Sequence, residues 1–286
     1  MKKIKFFALC VFCLFANMIL ANNRNVIYSV EDSLIFEGYV KKFASEKDRV
    51  TNQLIVETAR YFLGKPYVAS TLEVGEKETL VINLREFDCT TFVENCIALT
   101  MVVKSEDLSF TNYCQILREI RYRSGKVDGY PSRLHYTSDW IYENQQRGLL
   151  ENISIEIGGK SIVKPVNFMS SHAHLYKQLK DNTQNIKELI KIEENINKRN
   201  NFAILPGSDI EKYKRKIEDG YIIVFSTSIL GLDYSHIGIA YWQNDELYFI
   251  HASSAQKETV IEKNSLANYC KRSKSCTGIS VIRLAD

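Results

Sequence analysis

The sequence is poor in the residues and patterns that mark linkers, repeats and cofactor sites. Four prolines and thirteen glycines are spread over 286 residues, and they do not gather with serine into a linker-like stretch. The chain shows no internal repeat, no phosphate-binding glycine-rich motif, no nucleic-acid-binding module and no cofactor fingerprint. We therefore predict one elaborated domain over residues 22–286 that works without a cofactor or a metal.

Acidic residues are missing from the first 21 positions, and this accounts for the whole net charge. The chain carries 37 Lys+Arg against 34 Asp+Glu, a formal charge of +3. Lys2, Lys3 and Lys5 make up that difference, so residues 22–286 are electrically balanced. A balanced body gives no electrostatic reason to expect nucleic acid or an anionic membrane surface as a partner. With 45% hydrophobic and 11% aromatic residues, disorder is excluded as well.

Residues 1–21 have the pattern of a secretory signal peptide. The three lysines precede an apolar run, Phe6–Leu20, and Ala21 supplies a small residue at the cleavage position. The alternative is a membrane anchor, but the run is shorter than the ~20 residues that span a bilayer, and Asn17 interrupts it. We expect a periplasmic or secreted protein with no membrane span after leader removal.

Five cysteines follow the leader, and an odd number leaves at least one thiol free in an oxidising compartment. Cys270 and Cys276 are close in sequence and could pair with each other. Cys96 and Cys114 lie in apolar helical patterns, which favours a place in the core. Cys89 is the candidate for a thiol whose freedom has a chemical purpose.

Helical patterns precede strand patterns along the chain. Apolar spacing predicts helices near residues 45–63, 90–103 and 181–201, and β-rich runs predict strands at 221–226, 236–242, 247–252 and 278–284. Residues 124–140, rich in Gly, Tyr, Arg and His, suggest an irregular loop at the surface. Helices followed by strands, without alternation, predict an α+β fold in which N-terminal helices pack on an antiparallel sheet.

Cys89 lies where a helix is expected to begin. Asp88 or Thr90 can cap this helix, and Thr91 and Glu94 have the spacing of a capping box. Either choice places the thiol in or beside the first turn, where the helix dipole is expected to lower its pKa. The alternative is a buried structural cysteine.

Two histidines lie in consecutive strands of a predicted hairpin. If Trp242 pairs with Asp245 across a two-residue loop, His236 falls directly opposite His251. A shift of the centre by one residue makes the histidines diagonal neighbours on the same face. Only an odd-length loop or a bulge would separate them.

A cysteine with two histidines can carry out nucleophilic catalysis. One imidazole accepts the proton of Cys89, and the other orients the first. Gly238 and Ala240 share the face of the first histidine and would leave room for a helix start to approach. Two alternatives stay open: histidines that merely satisfy each other in a sheet, and a metal site that includes His172 and His174. No acidic or cysteine ligand has typical zinc spacing, which disfavours metal.

The order of these motifs resembles the NlpC-type cell-wall peptidase superfamily, which are papain-like cysteine peptidases acting on peptidoglycan peptides. The resemblance is carried by Gly64-Lys-Pro-Tyr67, Asp88-Cys89-Thr-Thr-Phe-Val93, Asp219-Gly220, Ser235-His236-Ile-Gly-Ile239 and Ile250-His251-Ala252. More closely, Arg133–Trp140 and Gly231–His236 resemble an N-acetylmuramoyl-L-alanine amidase-like family within that superfamily. This implies a papain-like NlpC-type core with a large insertion between nucleophile and base.

The resemblance also implies roles for individual residues. Cys89 would be the nucleophile, His236 the base and His251 the residue that orients it. The implied substrate-binding residues are Tyr67, Asp88, Arg133, His135, Tyr136, Trp140 and Ser235. Two departures are Thr90-Thr91, where the superfamily usually has Ser-Gly, and the long sequence separation of 147 from Cys89 to His236.

The implied substrates are peptidoglycan fragments, that is muropeptides, including 1,6-anhydro forms. The implied reaction cleaves the amide between N-acetylmuramic acid and L-Ala. A stem-peptide endopeptidase cutting between γ-D-Glu and a diamino acid would use the same residues. A non-catalytic wall-binding module is the alternative from a different class. A true papain relative is disfavoured because the C-G-[SA]-C-[WY] pattern is missing around Cys89.

Overall fold

The computed structural model describes residues 26–199 and 202–285. The predicted signal peptide, residues 1–21, lies outside the described residues. The helices are α1 Val30–Phe43, α2 Thr51–Tyr61, α3 Cys89–Lys104, α4 Phe110–Arg121, α5 Thr137–Gln146, α6 Ser154–Ile157, α7 Phe168–Ser171, α8 Thr183–Arg199, α9 Ile210–Tyr213 and α10 Leu266–Arg272. The strands are β1 Val26–Ile27, β2 Leu80–Val81, β3 Leu150–Asn152, β4 Lys160–Ile162, β5 Phe202–Pro206, β6 Ile222–Thr227, β7 Tyr234–Gln243, β8 Glu246–Ser253, β9 Glu258–Ile261 and β10 Cys276–Leu284.

One antiparallel sheet organises the molecule. Its strand order is β4-β5-β10-β6-β7-β8-β9, and β3 pairs with the far end of β10. The pairs of this sheet are all antiparallel, whereas β1 and β2 form a small separate parallel pair. The predicted α+β class with an antiparallel sheet is confirmed.

The two faces of the sheet are covered by different parts of the chain. Ile237, Ile239 and Ile250 belong to a large core cluster together with Phe92 and Val93 of α3. The alternate residues of the same strands, among them Phe249, pack in a smaller cluster with residues of α9 and α10. Because successive side chains of a strand point to opposite faces, residues 237, 239 and 250 face α3, and residues 236, 249 and 251 face α10.

Most predicted elements are found, with shifted ends. The helix expected near residues 45–63 begins only at Thr51, after a 3₁₀ turn at Ala44–Glu46. The helix expected from residue 181 is α8, and it buries three side chains, Leu189, Glu193 and Ile196. The expectation of a surface loop at 124–140 was wrong in part, because Tyr130, Leu134 and Tyr136 are buried and α5 begins within it.

The cysteines divide as the sequence suggested. Cys270 and Cys276 form a disulfide between α10 and β10. Cys96 and Cys114 are free and buried, and Cys89 is free and half-buried. Within residues 26–199 and 202–285, no helix is both long enough and apolar enough to cross a membrane.

Candidate active site

Cys89 is the first residue of α3, and the cap of that helix is Asp88. The Thr91 backbone N–H donates to Asp88 Oδ1 over 2.8 Å, and the Asp88 N–H donates to Thr91 Oγ1 over 2.9 Å, which completes a capping box. The box therefore joins Asp88 to Thr91 rather than Thr91 to Glu94. It fixes the backbone on both sides of the thiol.

Tyr67 lies beside the start of α3. The Val68 N–H donates to Phe87 O over 2.9 Å, and the Tyr67 N–H donates to Lys257 O over 2.8 Å, so this segment is held between α3 and the β8–β9 turn. Burial, then Cys89 and Asp88, raise the pKa of the Tyr67 phenol. The structure thus brings the predicted Tyr67, Asp88 and Cys89 together.

The histidine hairpin turns at Asn244-Asp245, whose φ angles of 49° and 63° suit a two-residue turn. Trp242 pairs with Leu247, so the expected pairing of Trp242 with Asp245 was wrong. The centre of the hairpin lies one residue further along the chain than expected. In this shifted register the histidines are diagonal neighbours on one face, as the alternative register predicts. His236 Nε2 lies 2.6 Å from His251 Nδ1, within hydrogen-bonding distance.

Gly238 makes room for the strand that carries the second histidine, Phe249 above all. A Cβ on Gly238 would lie 2.8 Å from Phe249 Cδ2 and 3.2 Å from His251 Cβ. The expectation that the small residues of this face admit a helix start was therefore wrong. The nucleophile helix packs on the opposite face, in the core cluster of Ile237, and a side chain at 238 would first displace the Phe249 ring and then crowd His251.

The Cys89 thiol contacts the backbone of β7, the strand that carries His236. The Ile237 N–H donates a hydrogen bond to the Cys89 sulfur. The pairs of β7 with β8 run from Gln243–Glu246 to Ile239–Ile250, so this donor lies beyond the paired part of the two strands. The sulfur consequently lies at the peptide that joins His236 to Ile237.

The thiol and both imidazoles are neutral at neutral pH. Burial, followed by the Asp88 carboxylate, raises the pKa of the Cys89 thiol to about 12, although the bond from Ile237 acts in the opposite direction. The expected lowering by the helix dipole is therefore outweighed. Burial, and then the neighbouring His251, lowers the pKa of His236 to about 3, and burial lowers that of His251 to about 4.

The carboxylate of Glu262, which the sequence did not reveal, lies next to His251 on the side away from His236. His251 Nε2 lies 3.4 Å from Glu262 Oε2, and both side chains are buried. Glu262 follows β9, a four-residue strand that the sequence pattern did not reveal. Its single signal is its position eleven residues after His251, one strand further along the sheet.

A cavity of about 470 Å³ opens beside the histidines. Its wall includes Ser235, His236, His251, Glu262, Tyr269 and Arg272. The predicted Ser235 is exposed and lines this cavity. The Tyr269 ring of α10 lies 6.1 Å from each imidazole, measured between centroids. The cavity gives a substrate access to the histidine pair.

The four predicted substrate residues of the insertion make their contacts elsewhere. Arg133 forms ion pairs with Glu73 and Glu78. His135 Nε2 lies 2.9 Å from the carbonyl of Tyr130, and burial lowers the pKa of its imidazole to about 3.

Tyr136 and Trp140 are both buried. The Tyr136 hydroxyl donates to Glu193 over 2.7 Å and accepts from the Met169 N–H. The Tyr136 contacts lie within the insertion, whereas Arg133 ties the insertion to residues that precede Cys89. A role in substrate binding stays a prediction for all four residues.

Asp233 connects the two family-specific motifs. Its carboxylate accepts the Ser138 N–H at the start of α5 and the Tyr234 N–H at the start of β7, each over 2.7 Å. The insertion is thereby fixed to the strand that carries His236.

The metal alternative gains no support from the geometry. His172 Nδ1 lies 2.8 Å from the Phe168 carbonyl oxygen, and its ring is 6.3 Å from that of His174, measured between centroids. Across the described ranges, no group of three or more His, Cys, Asp or Glu side chains is placed to hold a metal ion.

A thiol beside a hydrogen-bonded imidazole pair has the parts of a nucleophile–base site. Residues 57–279 match the family described as N-acetylmuramoyl-L-alanine amidase-like, and the chain belongs to that family. The suspected amidase-like family is thus confirmed, and it makes the protein a cell-wall amidase at the family level.

Several solved structures are similar to this chain. An N-acetylmuramoyl-L-alanine amidase from Bacteroides uniformis is 36% identical, with a TM-score of 0.79 over 82% of this chain and 99% of that chain. A Bacteroides fragilis protein described as a candidate xylanase is 38% identical, with a TM-score of 0.76 over 79% and 99%. A Legionella pneumophila protein shares the fold at 23% identity and a TM-score of 0.66 over 89% and 96%. No curated protein matches the chain.

Proposed function

We propose that this protein hydrolyses the amide bond between N-acetylmuramic acid and L-Ala in muropeptides, including 1,6-anhydro forms. One observation carries the proposal. The Cys89 sulfur accepts a hydrogen bond from Ile237, the residue after His236, and the His236 imidazole is itself hydrogen-bonded to His251. Family membership supports the amidase class. A helix-borne cysteine on an antiparallel sheet also supports a papain-like NlpC-type core.

The proposed mechanism starts from neutral groups. As the Cys89 sulfur attacks the amide carbonyl, His236 Nδ1 accepts the thiol proton, while its Nε2 keeps its bond to His251. The Cys89 backbone N–H, a free donor in the first turn of α3, stabilises the oxyanion. The imidazolium then protonates the leaving amine, and water, deprotonated by the same imidazole, releases the muramoyl carboxylate and restores the thiol.

Export and substrate follow from the proposal. The predicted signal peptide would bring the enzyme to the compartment that contains peptidoglycan fragments. The cavity beside His236 would accept the muropeptide, with Tyr67 and Asp88 beside the thiol and Ser235 in the cavity wall.

A stem-peptide endopeptidase is the second candidate of this fold, because the same three side chains serve both reactions. A glycosidase fits the site less well. Glycosidases generally use two carboxyl groups on either side of the scissile bond, whereas the carboxylate of Glu262 faces His251 and Asn264.

Product analysis tests the proposal. Purified muropeptides, anhydro and reducing, are incubated with the enzyme and weighed by mass spectrometry. Free sugar plus intact peptide is expected; a shortened sugar-peptide would favour the endopeptidase. Cys89→Ser should lose at least about 1000-fold in kcat, because an alcohol is a far weaker nucleophile beside this base.

The matched control is Cys114→Ala, which removes a free thiol of α4 and should keep the activity. Full activity in Cys89→Ser would contradict the mechanism. If the wild type hydrolyses no muropeptide although it is correctly folded, and Cys89→Ser behaves in the same way, the binding module is favoured.

A further inference from the structure

Glu262 is placed to determine where protons lie on both histidines. Its Oε1 accepts two N–H groups of Asn264, one from the backbone over 3.0 Å and one from the side-chain amide over 2.6 Å. Its Oε2 faces His251 Nε2 at 3.4 Å. The two bonds from Asn264 thus fix Oε1, and this orients Oε2 towards the His251 imidazole.

His251 Nε2 is buried and makes no hydrogen bond at this 3.4 Å separation, and the carboxylate favours a proton on the nitrogen that it faces. Nε2 of His251 is therefore protonated, and Nδ1 of His251 is a bare acceptor. The nitrogen 2.6 Å away, Nε2 of His236, must then be the donor of that bond. This leaves Nδ1 of His236 without a proton, which is the form that can accept one from a thiol.

We propose that Glu262 is a positioning residue that, through His251, fixes His236 in the tautomer with a bare Nδ1. The kinetic part of this inference rests on the proposed function, whereas the tautomers themselves do not. Glu262 also favours a positive charge on His236, so it stabilises the imidazolium formed during attack. The 3.4 Å separation can shorten at that moment, since catalytic hydrogen bonds often tighten only when charge develops.

The surroundings contain no competing charge of this kind. Tyr269 from α10 interacts with Glu262, and burial raises the pKa of its phenol to about 12. The other charged side chains of the cavity wall, Lys263 and Arg272, are cationic. On the side of the sheet, the His236 ring packs against Phe225 and the His251 ring against Phe249. Among the described residues around the pair, Glu262 therefore supplies the negative charge.

Glu262→Gln gives a sharp test because it has the same shape. If the glutamine oxygen keeps both bonds from Asn264, its NH₂ group must face His251 Nε2. That nitrogen would then be bare, Nδ1 of His251 would carry the proton, and His236 would be protonated on Nδ1. A residue that merely holds the turn would leave the tautomers unchanged, because the bonds from Asn264 survive.

The measurement is long-range ¹H–¹⁵N correlation NMR on protein labelled with ¹⁵N-histidine. Only five histidines are present in the chain, and single substitutions of His236 and His251 assign the two signals. The wild type should show both rings protonated on Nε2 at pH 7. In Glu262→Gln both rings should be protonated on Nδ1. Glu258→Gln, an exposed glutamate of β9, is the matched control and should resemble the wild type.

The kinetic arm compares the same proteins on the muropeptide substrate. We expect Glu262→Gln to lower kcat on the order of 10²- to 10⁴-fold, with KM and unfolding temperature close to wild type. A wild-type His251 protonated on Nδ1, or unchanged tautomers in Glu262→Gln, would overturn the inference. Both results are independent of Cys89→Ser, so this failure is distinguishable from failure of the amidase mechanism.

Discussion

At the scale of single residues, the site pairs a nucleophile and a base that are both neutral at rest. Burial raises the pKa of the Cys89 thiol to about 12 and lowers that of His236 to about 3. A preformed thiolate–imidazolium pair is therefore disfavoured, and proton transfer accompanies attack on the substrate. This differs from cysteines whose helix position alone makes them acidic, because here burial is the larger effect.

The alkylation rate of Cys89 should follow this ionisation. Only the thiolate reacts with iodoacetamide, so in the free enzyme the rate should keep rising from pH 6 to pH 10. Mass spectrometry of the labelled peptide measures the rate, and Cys89→Ala serves as the blank. A plateau that begins below pH 7 would show a stable ion pair and contradict the neutral resting state.

At the scale of elements, helix α10 and its disulfide support the histidine face. Tyr269 directly precedes the disulfide-bonded Cys270, and its ring lies 4.9 Å from that of Phe249, measured between centroids. The bond to Cys276 ties the end of α10 to the start of β10. The position of the tyrosine against both imidazoles therefore depends on this cross-link.

Removal of the disulfide should lower stability and activity together. In the chain-entropy account, a loop of this length contributes about 2 kcal/mol, so the double variant Cys270→Ser/Cys276→Ser should unfold at a lower temperature. The kcat should fall as well, because Tyr269 loses its anchor. Reduction of the wild type with dithiothreitol should reproduce both effects, while the double variant should be insensitive to it. Equal melting curves for the two proteins would refute this role.

The type of an element could be predicted where the local sequence pattern determines it. Contacts between elements far apart in the sequence could not. The capped helix at Cys89 and the hairpin of His236 and His251 follow from capping residues and alternation over fewer than twenty positions. The short strand β9, and with it Glu262, depends on a neighbour strand for its hydrogen bonds. The family resemblance assigned Arg133 and His135 to a substrate pocket, which stays a prediction. Their partners in the fold, Glu78 and Tyr130, could not be read from the sequence, because they become neighbours only when the insertion folds.

At the scale of the whole molecule, neutral histidines make stability depend on pH. The pKa values of His135, His236 and His251 are lowered to about 3, 3 and 4, against an ordinary value of 6.5. Between these values the unfolded chain binds more protons than the folded one. Stability is therefore fully present above about pH 6.5 and is lost as the pH falls towards 4.

Substitution of one such histidine should flatten this dependence. Each contributes at most about 1.4 kcal/mol per pH unit within the window. Denaturant unfolding at pH 7, 6 and 5 should thus show a shallower slope for His135→Gln than for the wild type. The exposed His174 provides the control His174→Gln, which should keep the slope. Identical slopes for all three proteins would contradict the neutral state of His135.

The balanced charge of the body conceals a local excess at the cavity. Lys263 and Arg272 line it and are exposed, and within residues 26–199 and 202–285 neither forms an ion pair. Two free cations beside His236 favour a substrate that carries carboxylates. Lys263→Ala/Arg272→Ala should raise KM for a muropeptide by roughly 10-fold, since an exposed pair contributes up to about 1 kcal/mol.

The kinetics of this double variant separate charge from shape. The effect should shrink at high salt, which screens exposed charges, and it should be small for a substrate whose peptide carboxylates are amidated. Lys271→Ala removes an exposed cation of the same helix that lines a different pocket and should leave KM unchanged. An equal loss on amidated and free-acid substrates would show that these side chains act through packing, and the cationic wall would then have no part in recognition.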